Sequence, residues 1–254
     1  MSYKLIKVTF VSGLLLTLSA CSTLNQSSHN LPERKAEQEK LYENTKNYSA
    51  LISMYRDELK LNQDPLTQFK LSKSYYHLGD SASSLIYLEP LRFSAHPFNQ
   101  DIELLYIRNK IQLGQYQDAY LAATDLIQLA PRNSEAYNLR GISLAQMGKL
   151  ADAELDINKA RELFINDITA INNIAMLSIL NTDYRNAVNL LLPQYLSGSK
   201  DPRLVHNLVF ALVKSGDIDY ALDIIRKENL NTSPEDLVNA LKKTEKLPKV
   251  SMNK

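Results

Sequence analysis

Ser197 and Lys200 form a Ser-x-x-Lys string, a spacing that can pair a serine nucleophile with an amine able to take its proton. That chemistry needs both side chains on one helix face. Here the string lies in a Gly-Ser-rich connection just before Asp201-Pro202, so it reads as a loop. The four histidines, His29, His77, His96 and His206, do not have HExxH spacing, and there is no GxSxG elbow or glycine-rich phosphate loop. His206 reads as an ordinary surface or groove residue, not a metal ligand. Acidic pairs such as Asp152 and Glu154 fall on solvated faces. The single cysteine, Cys21, can neither close an internal disulfide nor supply a multi-thiolate metal site. The expectation is a protein that is not an enzyme and uses no cofactor and no metal.

Composition narrows the class further. The chain has 254 residues, 44% of them hydrophobic, enough for one large or two small packed bodies. With 7 glycines and no tryptophan, a β-rich fold full of tight turns is disfavoured. Lys and Arg total 29 against 28 for Asp and Glu, a net charge of +1 that provides no global field for capturing nucleic acid.

The position of the cysteine carries its own chemistry. Lys4 and Lys7 precede an apolar stretch from Val8 to Leu18, too short for a comfortable permanent span but suited to a signal-peptide core. Leu18-Ser19-Ala20-Cys21 follows and resembles a lipobox. That resemblance implies cleavage after residue 20 and acylation of Cys21 with diacylglycerol and a further fatty acid such as palmitate. Stable anchoring follows from the buried methylenes, each contributing about 0.8 kcal/mol. Ser22, not Asp, after the cysteine implies sorting to the outer membrane, with the chain held on its periplasmic face. Residues 21–30, ending STLNQSSHN, have too little apolar content to pack and read as a tether.

The body is set by an internal repeat. Ala119, Ala153, Ala187 and Ala221 are separated by 34 residues each, and Gly114, Gly148, Thr182 and Gly216 precede them by five. Gly79 and Ser84 continue the series upstream after a one-residue insertion, and Thr45 and Ala50 continue it again. Six units begin near Leu31, Pro65, Gln100, Ser134, Ile168 and Pro202. In the unit from Ser134, Tyr137, Gly141 and Leu144 share one helix face and Ala153, Ile157 and Ala160 another. Two amphipathic helices joined at Gly148 are predicted, with Gly141 and Ala153 small enough for close approach. Pro193 inside the second helix of the Ile168 unit predicts a shortened or kinked helix. Beyond Thr232-Ser233-Pro234-Glu235 a last helix is expected to about Lys246, its Leu237, Val238 and Leu241 alternating with Lys242, Lys243 and Lys246.

This period, the small residues and Pro131 resemble the tetratricopeptide repeat. The expected fold is all-α: an α-solenoid of about six helical hairpins over residues 31–235, with a capping helix and tail in 236–254. The resemblance implies a protein-binding groove lined by the first helix of each hairpin. Its positions here are Phe69, Lys73 and Tyr76; Leu104 and Arg108; Asn138 and Ile142; Asn172, Asn173 and Met176; and His206, Asn207 and Phe210. Asn138 and Asn172, one repeat apart, fit ligand contact and structural use equally. Tyr75, Tyr106 and Tyr137 read as inter-helix packing. The family's full peptide-carboxylate clamp is not reproduced.

Among lipidated repeat proteins, the chain resembles the TadD group of tight-adherence (Flp) pilus systems. The resemblance is carried by Ala130-Pro131 through Tyr137-Asn138-Leu139-Arg140-Gly141 and by Asn172-Asn173. It implies a scaffold in pilus assembly that helps a secretin localise or multimerise, as pilotins do, with the secretin or other pilus-assembly proteins as partners and homo-oligomerisation as an option. The alternative is an NlpI-like periplasmic adaptor for envelope hydrolases or proteases.

Overall fold

The computed structural model describes residues 31–245; the expected leader, Cys21, the tether and the tail from residue 246 lie outside them. The described residues form thirteen α-helices and no strand. They divide into two compact units, the first ending at Asn47 and the second beginning at Tyr48.

The first unit contributes α1 (Leu31–Asn44). The second opens with α2 (Tyr48–Leu61) and continues through five hairpins. These are α3 (Pro65–His77) with α4 (Ser81–Arg92), α5 (Asn99–Gln112) with α6 (Tyr116–Leu129), α7 (Ser134–Gln146) with α8 (Leu150–Glu162), α9 (Asp167–Leu180) with α10 (Tyr184–Leu196), and α11 (Pro202–Ser215) with α12 (Ile218–Lys227). A final helix, α13 (Pro234–Lys243), packs on α11 and α12. Its Val238 is buried, while Leu237 and Leu241 are partly buried against the last core cluster. The second unit is an α-solenoid, and the expected all-α fold class is what the chain adopts.

Side-chain caps start the hairpins of α3, α7, α9 and α11. The side chains of Asp64, Asn133 and Asn166 accept from the backbone N–H three residues on, at 2.8, 3.0 and 3.1 Å, satisfying donors that the first helical turn leaves free. At the turn of the third hairpin, Gly148 N–H donates to Ala145 O and Lys149 N–H to Leu144 O, closing α7 around a residue at φ 78°. Thr182 occupies the equivalent turn after α9 at φ 64°, so a β-branched residue adopts the left-handed conformation.

Packing repeats with the sequence. Ala119, Ala153, Ala187 and Ala221 are all fully buried, each on the second helix of its hairpin. At Gly141 the expected close approach is explicit. A Cβ there would lie 2.8 Å from Ile157 Cγ1 and 3.0 Å from the Ala153 carbonyl oxygen. The core is a string of clusters, one joining α5, α6 and α7 through Ile107, Ala123 and Leu139, the next joining α7, α8 and α9 through Leu144, Ile157 and Leu177.

One expectation needs correction. α10 is not shortened by Pro193; it runs 13 residues, as long as α7 and α8. Pro90 lies inside α4 in the same way. Both prolines are exposed, as are Asn189 and Ile86 four residues earlier, so water can satisfy the carbonyls that lose a donor.

Two stability outcomes follow. Gly141→Ala should destabilise by about 1–2 kcal/mol despite alanine's better helix propensity, because the overpacking term is larger. Thr182→Gly should stabilise by about 1 kcal/mol by relieving the left-handed β-branched residue. Urea unfolding of both variants beside the native chain measures each sign.

Candidate protein-binding groove

The first helices of successive hairpins stand side by side, α3 beside α5, α5 beside α7, α7 beside α9 and α9 beside α11. Their common face is the candidate site, and it is bound together by polar side chains. Asn173 Nδ2 donates to Asn138 Oδ1 at 2.7 Å, linking α9 to α7. One repeat on, Asn207 Nδ2 donates to Asn172 Oδ1 at 2.9 Å, linking α11 to α9. Arg108 Nη2 donates to Glu135 Oε1 at 3.0 Å, linking α5 to α7, and Asn138 Nδ2 makes a long 3.5 Å contact to the same oxygen.

These contacts give the two asparagines a structural role. Asn138 and Asn172 are 3% and 5% exposed, with their amide oxygens turned to the next repeat. Through those oxygens they join successive repeats. Leu104 is buried in the cluster of α5, α6 and α7, with Ile142 half-buried against it. Phe69 and Tyr76 pack on the cluster around Leu88 and Ile102, the Phe69 ring 5.3 Å from that of Phe98. Lys73, Met176 and His206 are exposed, and Arg108, Asn173, Asn207 and Phe210 are half-buried. Phe210 stands edge-on to Tyr184, the ring centroids 6.2 Å apart.

Three charged or titratable neighbours were not among the sequence-derived positions. His77 is one turn beyond Lys73, Glu135 lies three residues before Asn138, and Arg203 three before His206, so helical spacing on the same face was the available signal. The His77 ring stacks on Tyr48 at 5.0 Å. Its pKa is lowered, first by burial and then by the like charges of Lys73 and Arg108, which places three cationic or basic groups at the α3–α5 end of the face. Arg203 pairs with Asp201 at 2.8 Å, and its pKa is raised chiefly by that partner and more weakly by Glu135.

The tyrosines pack between elements. Tyr75 stacks on Tyr87 at 5.6 Å, Tyr106 carries the Arg92 guanidinium 3.5 Å above its ring, and Tyr137 lies 5.4 Å from that of Arg140. Ser197 and Lys200 are engaged separately. The Ser197 hydroxyl donates to Gln194 O, while Lys200 pairs with Glu228, which also accepts from the Tyr195 hydroxyl at 2.7 Å. Burial and that carboxylate push the Tyr195 pKa up to about 12. Among the described residues there is no cluster of metal-ligating side chains and no helix long and apolar enough to cross a membrane. A separate cleft of about 400 Å³ lies between α4, α5 and α6, lined by Arg92, Asn99, Glu103, Asp125 and Leu129. Its guanidinium is already paired with Glu103, at 2.8 and 2.9 Å.

No protein-family model matches the chain, and no curated protein matches it. Solved structures do resemble it. A thermophilic TPR protein of Thermus thermophilus superposes with TM-score 0.61 at 16% identity, covering 70% of this chain and 98% of that one. A tetratricopeptide repeat protein of Parabacteroides merdae gives 0.61 at 17%, covering 83% and 85%. MamA of Desulfovibrio magneticus RS-1 gives 0.52 at 15%, covering 66% and 96%. Likeness at such identities establishes the tetratricopeptide-repeat fold.

The lowered His77 pKa has a defined sign. Between its ordinary value near 6.5 and its lower folded value, the unfolded chain binds the proton and the folded chain does not. Stability should therefore fall as pH drops below about 6.5 and level off below the folded pKa. Denaturant unfolding at pH 8 and pH 5 should show this loss, and His77→Gln should reduce it.

Proposed function

We propose that this chain is a non-catalytic, lipid-anchored scaffold that captures a segment of a partner protein on the face formed by α3, α5, α7, α9 and α11. The observation that carries the reading is the division of labour on that face. Buried asparagines hold the repeats together, while Lys73, Met176 and His206 remain open beside half-buried Arg108, Asn207 and Phe210. A preformed surface of this kind can bind a peptide without first paying to order itself. Its chemistry differs from end to end. Lys73 on α3 suits a carboxylate, with Arg108 beside it already paired to Glu135, whereas Met176 and Phe210 near α9 and α11 suit an apolar side chain.

The finer reading is assembly of a tight-adherence (Flp) pilus at the outer membrane, with the secretin as the captured partner. It is supported by the lipobox-like Leu18-Ser19-Ala20-Cys21 and by the TadD-like run from Ala130 to Gly141 with Asn172-Asn173. Acyl chains on Cys21 would confine the scaffold to the periplasmic leaflet, raising the local concentration of whatever the groove holds without any new contact.

Crosslinking in living cells followed by purification tests both levels. The native chain should bring down the secretin, and Lys73→Glu/Met176→Asp should reduce recovery at least tenfold while leaving the fold intact. Cys21→Ser should release the chain from the membrane. Recovery of cell-wall hydrolases or proteases in place of the secretin would replace the pilus reading with the adaptor reading. Equal recovery by the groove variant would remove the groove as the site.

A further inference from the structure

The hairpin topology divides the second unit into two edges. Because the first helices pack side by side along the solenoid, every connection from a second helix to the next first helix falls on one edge, and the turns within hairpins fall on the other. The connecting edge carries an apolar row. At or just beyond the ends of α2, α4, α6, α8 and α10 stand Leu61, Phe93, Leu129, Phe164 and Leu196, exposed by 90, 87, 84, 90 and 67%. The opposite edge is less apolar, with Leu78 and Leu113 half exposed and then Met147, Asn181 and Gly216 at the equivalent ends.

Nothing in the folding of the hairpins calls for this row. Single exposed apolar residues are ordinary, but one large apolar tip per connection over five successive connections is a surface. Phe164 makes the point most sharply. Its φ of 65° is a conformation that glycine or asparagine adopts at less cost, and its ring is 90% exposed. The backbone conformation closes α8 as Gly148 closes α7, with Phe164 N–H donating to Arg161 O and Ile165 N–H to Ala160 O; a small residue would serve that cap as well, so the exposed ring is what the fold leaves unexplained.

The row follows an edge of the solenoid and is not a compact patch. Each tip also has a basic neighbour within four residues: Lys60, Arg92, Arg132, Arg161 and Lys200. Lys60, Arg92, Arg161 and Lys200 are paired with Asp57, Glu103, Asp167 and Glu228, so the attraction would be mainly apolar and only weakly salt-dependent. Apolar tips with basic residues beside them are the chemistry of segments that sit at a bilayer interface. The chain outside the described residues limits the distance involved. Residues 21–30 can span at most about 35 Å before α1 begins, so acylated Cys21 would keep the chain at a high effective concentration near the bilayer.

We propose that this edge rests on the lipid surface to which the chain is anchored, with the five tips entering the boundary between headgroups and acyl chains. The proposal rests on the acylation of Cys21 read from the sequence. It would lay the row of first helices, and with it the groove, along the membrane, with the turns within hairpins directed away from it.

The test uses the chain as recovered from cell membranes, placed in vesicles of phosphatidylethanolamine and phosphatidylglycerol that contain a phospholipid with a photoreactive acyl chain. After illumination, labelled peptides are mapped by mass spectrometry. Label on the peptides holding Phe93, Leu129 and Phe164 is the expected result. The variant Phe93→Ser/Leu129→Ser/Phe164→Ser, checked for native melting, should reduce that label on the order of tenfold while keeping label near Cys21. Label confined to the peptide around Cys21 would overturn the edge proposal and leave anchoring in place. A chain carrying no acyl group and no label would overturn both. Crosslinks joining the same edge of two copies would overturn it in favour of a dimer.

Discussion

The close contact between the two helices of a hairpin governs everything built on it. Gly141 has no side chain, and Ala153 and Ile157 fill the space where one would stand. The alanine recurs, fully buried, at the matching position in four hairpins, so each pair of helices is drawn to similar spacing. A hairpin closed in this way still has an apolar flank that it cannot cover alone. Stacking against the next hairpin covers it, which is why the core is a string of local clusters and why α13 must close the final one.

Regular stacking brings the first helices into register, and register is what places polar groups one repeat apart within bonding distance. The Asn173–Asn138 and Asn207–Asn172 hydrogen bonds are two copies of one contact, each spanning 35 residues. A buried amide without a partner would be costly, so these bonds favour correctly stacked repeats over shifted ones. The Arg108–Glu135 pair extends the same cross-linking toward α5. Exposed side chains on this face are thereby presented by a rigid support. The two edges of the solenoid are equally products of stacking, since only a regular array collects one connection from each hairpin on the same side.

The sequence was sufficient for the architecture because the physics of a repeat is local. Spacing of 34 residues, small residues where helices cross and a turn residue five positions ahead of each alanine specify a hairpin, and copies of a hairpin have one economical way to pack. It was less informative where a local rule met an unusual environment. Proline in α4 and α10 is tolerated because the affected carbonyls face water, and exposure at those positions depends on which side of each helix its neighbours cover.

The sequence by itself therefore determined the all-α repeat, the hairpin boundaries to within a few residues, the close approach at Gly141 and the face of each first helix. Only the tertiary structure decided which side chains on that face remain free. Asn138 and Asn172 have the same type and spacing that ligand contacts would have, yet they are buried and committed to the neighbouring repeat. Likewise Leu61, Phe93, Leu129, Phe164 and Leu196 recur only approximately at the repeat interval, and stacking is what sets them on one edge. The reason is common to both: helical period assigns a residue to a face, but exposure and hydrogen-bond partners are set by what the next hairpin brings against that face.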